Sequence, residues 1–429
     1  MTLPHSMTLP HIHGDGAAAE HLTAIAARVA DAGGWFDPAL SITAHGGDLA
    51  VKSGAAASTA GRQLSVPVAA MPRMRDFSLR AEGDHLSAKA DGAATPLQAE
   101  ILGHMVALYN ACGKLGSWRR QSPLLALKDH GALLDHLLAA RAGAVKVRQF
   151  RSLMERAGTV EGEDALALTT FFNARMFALR PELAGPGGAA GRQEAAGPVS
   201  VLLPIVDCIN HHLGAEPFSV DEMAAPVALT VSAAPAASGE VFVRYNLYDA
   251  LETLLFYGFV DPAPDFVGSV PVSVGLAAGR RLTVTASGGA YRGPLPPDVA
   301  PLRGFIGQAS AGKAGEVRLS KLVIPAARHR AAFRRVLAFV LRASALCHSN
   351  AAAADALPHV EAEIIAANAA YWSRLAGLAD AAGPPARQIA GLARTRLAAL
   401  DAFAAADPAP APVPVARPLE RRPSCMGAI

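Results

Sequence analysis

Residues 201–212 read VLLPIVDCINHH, residues 239–246 read GEVFVRYN, and residues 252–259 read ETLLFYGF. LLPIV is a short apolar run with β-branched residues, which predicts a buried strand. It runs into Asp207, Asn210 and His211, three polar side chains where a core strand should end. In GEVFVRY, Val241, Val243 and Tyr245 alternate with Phe242 and Arg244 after a Gly-Glu turn signal. Leu251 to Phe259 reads as a short apolar helical turn stopped by Gly258. Each residue also has a plain structural explanation. Asp207 suits a turn, His211 and His212 a surface pair, Tyr245 a strand, and Tyr257 the core end of a helix.

Toward the N-terminus, Leu22, Ile25, Ala26 and Val29 recur at helical spacing within 17–32, and Gly33-Gly34 ends the run. Leu40-Ser-Ile-Thr, AHGGDLAV and RQLSVPVAAMP read as short strands joined by Gly-rich turns, with Gly47 in a turn and Val66-Pro67 closing a strand. Between about 96 and 180 the apolar spacing becomes helical, and this insert ends in TTFFNARMFAL, which contains Ala174-Arg175. An arginine there can hold a carboxylate with two hydrogen bonds or lie on a helix surface. Residues 183–198 form a Gly/Ala/Pro-rich loop. Leu229-Thr-Val-Ser, VPVSV and RLTVTA predict further strands.

From Ile324 to Ala405 the chain reads helical nearly throughout. Phe333, Val336, Leu337, Val340 and Leu341 share one face, Val360, Ile364 and Trp372 a second, and Ile389, Leu392, Leu400 and Phe403 a third. Residues 1–16 read as a disordered start, with HIH at 11–13 as tail rather than metal site. Residues 407–429 read as a Pro/Ala-rich disordered tail.

A Gly turn, a helical insert, Ala-Arg, D-x-x-N-H, G-E-x-x-x-x-Y and Y-G-F follow one another in this order over residues 20–405. In that order the chain resembles the SET-domain protein methyltransferases, and within them the subgroup of the Rubisco large-subunit lysine methyltransferase and the actin-histidine methyltransferase. The resemblance implies an α+β fold: a SET domain of short sheets over 17–312 with its helical insert at about 96–180, then an all-α substrate-binding domain over 313–406. It implies S-adenosylmethionine as methyl donor, S-adenosylhomocysteine as product, no metal, and a lysine of a protein substrate as acceptor. Donor contacts would fall to Gly47, Arg175, Asp207, Asn210, His211 and Tyr257, with Asp207 also holding its strand end in shape. Tyr257 would be the catalytic residue, and Tyr245 and Phe259 would line the acceptor side. Three places depart from the family pattern: Gly61-Arg62-Gln63 where an acid is usual, Ala174 where Ser or Thr is usual, and Asn246 where glycine is usual. They leave open an inactive SET-like binding module. A histidine acceptor is the other alternative.

Composition narrows the classes. The chain has 429 residues, enough for two domains. Its net charge is +3 with scattered basic residues, which argues against nucleic acid as main partner. No apolar run approaches twenty residues, so no membrane span is predicted. The four cysteines are far apart, without a C-x-x-C, which argues against a zinc site or a disulfide framework and fits an intracellular, cytoplasmic protein. Nuclear or plastid placement stays open. A monomer acting on a protein substrate is the expectation.

Overall fold

The structure is a computed structural model that describes residues 9–54, 61–155, 159–184, 198–232, 239–288, 291–313 and 315–406. The tail from 407 and most of the 183–198 loop lie outside the described residues. The described chain mixes helices with short sheets and divides into two compact units. The first holds residues 9–121 and 159–248, the second 122–155 and 249–406. The second unit thus carries both the helices after 313 and the strands that precede them.

The first unit opens with β1 His11–Gly14, in the stretch expected to be a loose tail. It pairs in parallel with β3 Leu40–His45, with His11 opposite Ser41 and Gly14 opposite Ala44. Between them lie α1 Gly16–Asp31 and β2 Trp35–Phe36. Leu22, Ile25, Ala26 and Val29 of α1 are buried, as their spacing predicts. Fully burying such a side chain contributes roughly 1.5–3 kcal/mol. β4 Asp48–Ser53 returns antiparallel to β3. β5 Arg62–Pro67 is a central strand of a sheet ordered β11-β12-β5-β2. β6 Phe77–Glu82 and β7 His85–Ala90 form a hairpin.

The helical insert follows. α2 Pro96–Ala111 starts with Pro96 behind Thr95, whose hydroxyl accepts the Gln98 N–H. α3 Lys114–Gln121 completes this part of the first unit. α4 Pro123–Ala126, α5 Gly131–Ala139 and α6 Val145–Met154 belong to the second. α7 Val160–Asn173 returns to the first, capped by Thr159 with Glu161 and Glu163 in its first turn. The apolar run MFAL is strand rather than helix: β8 Met176–Leu179 pairs antiparallel with β9 Val199–Leu202. β10 Asn210–His211, β11 Ser219–Asp221, β12 Ala228–Ser232 and β13 Phe242–Val243 finish the unit.

In the second unit α8 Ala250–Tyr257 leads to β14 Val267–Gly268, β15 Val272–Gly275, β16 Arg281–Val284, β17 Ala309–Ala311, β18 Glu316–Leu319 and β19 Val323–Ile324. Four of these strands form one sheet in the order β15-β16-β18-β17. Three helices end the described residues: α9 Arg330–Ala343, α10 Asn350–Ala382 and α11 Arg387–Ala405. The three apolar faces named from sequence spacing are buried in them.

Candidate functional site

The polar residues at the end of LLPIV leave the strand by an unusual route. β9 stops at Leu202, and Val206 N–H donates to the Pro204 carbonyl at 2.7 Å around Ile205, which has φ 64° and ψ −44°. This is a γ-turn with positive φ, a rare and strained form. Placing a β-branched residue there costs on the order of 1–3 kcal/mol. A single 3-10 turn, Val206–Cys208, then delivers Asn210 and His211 to β10.

β10 runs parallel to β13, with Asn210 opposite Phe242 and His211 opposite Val243. Two stretches thirty residues apart thus form one ladder, which His212 N–H extends to the Val243 carbonyl at 3.1 Å. Just beyond β13, Tyr245 folds back on this ladder. Its hydroxyl donates to the Ile209 carbonyl at 2.7 Å, and its N–H donates to His211 Nδ1 at 3.0 Å. Accepting that bond leaves Nε2 as the protonated nitrogen of the neutral His211 ring. Burial pushes the Tyr245 phenol well above its ordinary value, so its hydroxyl is a fixed donor and not a base.

Behind the ladder Asp207 meets two groups from the helices. Tyr109 of α2 donates its hydroxyl to Asp207 Oδ2 at 2.9 Å, and Arg175 Nε lies 3.4 Å from the same oxygen. Arg175 stacks with its guanidinium carbon 3.7 Å from the Phe171 ring centroid and donates through Nη1 to the Phe171 carbonyl at 2.9 Å. Its Nε is buried without a hydrogen-bond partner. Burial raises the Asp207 pKa, while Arg175 and then Tyr109 pull it down. Asp207 thus holds more than its own strand end: it joins the strand end to α2 and to the end of α7.

Asn210 is exposed, and its Nδ2 donates to Glu240 Oε1 at 2.8 Å. The Glu240 backbone bridges to Lys52 of β4. Gly47, at the opposite end of β4, has φ +87°, and a Cβ there would meet the Cys112 carbonyl at 2.9 Å. Both facts demand glycine. Gly47 lines an open surface pocket of about 350 Å³ with Asp15, Gly16, Ala18, Ala111 and Cys112. Lys52 lies five residue steps beyond Gly47, or ~17 Å along β4.

The two remaining candidates lie in the second unit. Tyr257 is the last residue of α8, and Gly258 stops the helix in the left-handed conformation at φ 75°. Tyr257 and Phe259 are half-buried, with ring centroids 6.3 Å apart. The helix starts at a capping box. Asp249 Oδ1 accepts the Glu252 N–H at 2.8 Å, and Asp249 N–H donates to Glu252 Oε2 at 3.0 Å.

The first unit therefore brings together Arg175 with Asp207, and Asn210 and His211 with the segment that carries Tyr245, and it sets Gly47 apart along β4. Sequence reasoning missed Tyr109, which lies inside the helical insert with no signal of its own, and Glu240, which stood only as half of a turn signal. Among the described residues no three His, Cys, Asp or Glu side chains cluster as a metal site, and no helix is long and apolar enough to cross a membrane.

No family model and no curated protein matches the chain. Among solved structures it is similar to one described as "Crystal structure of the SET domain of LSMT bound to Lysine and AdoHcy", at 12% identity and a TM-score of 0.38, over 90% of each chain.

Proposed function

We propose that this chain is an S-adenosylmethionine-dependent protein methyltransferase of the SET type, acting on a lysine side chain. The observation that supports it is the β10–β13 ladder, in which Asn210-His211 and the segment carrying Tyr245 become one unit of structure. The donor supplies a methyl group bonded to a positively charged sulfur, together with an ammonium and a carboxylate. The residues present fit those two charged groups. Asn210 and Glu240 are oxygen acceptors for the ammonium, and Arg175 is a half-buried cation suited to the carboxylate. Methyl transfer is an in-line displacement, so orientation and exclusion of water are what the protein contributes. Good orientation alone accounts for roughly 7–11 kcal/mol in model reactions. The chemistry is assigned to Tyr257 on its Tyr-Gly-Phe motif, with Phe259 as acceptor-side residue. The acting form is a monomer with a protein substrate.

The test is transfer of a labelled methyl group from S-adenosylmethionine to proteins of a cell lysate, with wild type and Tyr257→Phe in parallel. The expected result is label on lysine with wild type. The variant should keep its melting temperature and lose far less donor affinity than turnover, which should fall at least tenfold, since the lost hydroxyl acts mainly in the transition state. Label on histidine would reassign the acceptor. Donor binding without transfer to any protein would favour a binding module, and absence of donor binding would overturn the proposal.

A further inference from the structure

Asn210 and Glu240 stand thirty residues apart in sequence, yet their side chains meet at 2.8 Å. A carboxylate at neutral pH can only accept hydrogen bonds. The Asn210 amide must therefore turn its Nδ2 toward Glu240, which leaves Oδ1 to face away. Neither residue sits on a loose loop. Asn210 lies in the β10 ladder opposite Phe242. Glu240 is bridged to Lys52 and flanked by two bonds to β4, Ser53 N–H to the Gly239 carbonyl and Val241 N–H to the Val51 carbonyl, both at 2.8 Å.

The result is an amide oxygen and a carboxylate fixed side by side at an accessible place. One of the two carries a full negative charge. Such a pair suits a cation with several N–H donors, as an alkylammonium has, and disfavours carboxylates and phosphates.

We propose that Glu240 is a positioning and specificity residue: it locks Asn210 with its carbonyl oxygen outward, and its charge selects ligands that carry a free α-ammonium group. The proposal rests on the reading of the chain as an S-adenosylmethionine-dependent enzyme, and it names the residue that recognises one end of the donor. Glu240 acts partly through Asn210, so its signature is a change in ligand preference rather than a general loss.

The experiment is calorimetric titration of wild type, Glu240→Gln and Glu240→Asp with two ligands. One is S-adenosylhomocysteine, and the other is its des-amino analogue, which keeps nucleoside, sulfur and carboxylate. Wild type should prefer S-adenosylhomocysteine by about tenfold, the size of one charge-assisted hydrogen bond. Glu240→Gln, which keeps an acceptor oxygen but no charge, should cut that preference to about two- to threefold, with the affinity for the analogue unchanged. Glu240→Asp, with the charge but a shorter reach, should fall between, and it carries the test if the glutamine variant does not fold. An unaltered preference in the variants, or an equal loss for both ligands, would overturn the role of Glu240 while leaving the enzyme reading intact. A wild type with no affinity for S-adenosylhomocysteine would overturn both.

Discussion

Asp207 in the first unit and Asp249 in the second are both carboxylates with an arginine partner, and they are held very differently. Asp249 is saturated. Its Oδ2 accepts from Arg141 Nη2 at 2.6 Å and from Gly268 N–H at 2.8 Å, while its Oδ1 caps α8. Arg141 makes further bonds to the carbonyls of Ala140 and Ser269. Asp207 receives one hydroxyl at 2.9 Å and an arginine nitrogen at 3.4 Å on the same oxygen, beside a strained Ile205 and an arginine Nε with no hydrogen bond. A buried network with every member satisfied does structural work. One left short of partners, next to backbone strain, is where a ligand has something to add.

The comparison breaks first if Arg141 proves dispensable. Arg141→Ala leaves the Asp249 charge buried without its partner, and it should lower stability by about 3–5 kcal/mol in a denaturant titration. A loss below about 1 kcal/mol would mean that the Asp249 network is no more structural than that of Asp207.

On the other side, Asn210→Ala should leave the melting temperature nearly unchanged, because the residue is exposed. It should weaken S-adenosylmethionine binding by roughly 1.5–3 kcal/mol, or ten- to a hundredfold. An unchanged titration curve for the folded variant would remove Asn210 from the site.

Tyr245→Phe isolates the hydroxyl that ties β13 back to Ile209. It should cost about 0.5–1.5 kcal/mol of stability, read from the shift in denaturation midpoint. No shift would show that the tie does not hold the ladder.

The smallest effect belongs to Asp207 itself. Burial raises its folded pKa above the ordinary value of 3.8, so its ionisation works against folding. The stability associated with this group is fully present below the unfolded pKa and is lost as pH rises through the folded one. Asp207→Asn removes that titration. At neutral pH the variant should lie within about 1 kcal/mol of wild type, and on acidification toward pH 4 wild type should gain on it. Denaturation curves across that range give the sign. A wild type that instead loses ground as pH falls would mean that Arg175 and Tyr109 outweigh burial.

Much of this was legible in the sequence wherever burial follows a local period. The faces of α1, α9 and α11 are the ones that three-four spacing predicts, and Gly258 ends α8 as it should. MFAL departs from the helical reading because four apolar residues suit a helix end as well as a strand, and only pairing with β9 decides. GEVFVRY alternates along its length, but only Phe242–Val243 pairs, because Tyr245 leaves the ladder to bond Ile209. His11–Gly14 carried no strand signal in its own residues, and its partner β3 supplies the register. In the site, Arg175 and Asp207 were each nameable, but their meeting was not. Tyr109 lies 98 residues from Asp207, and no local pattern records a contact at that range.

β4 acts as a gauge. It starts one residue after the glycine that lines the pocket, and its fifth residue is bridged to Glu240. Inserting one residue in it would turn every side chain beyond to the other face, and inserting two would restore the faces but lengthen the span by ~7 Å. The length of this one strand therefore sets the spacing between the glycine turn at one end and the Asn210–Glu240 pair at the other.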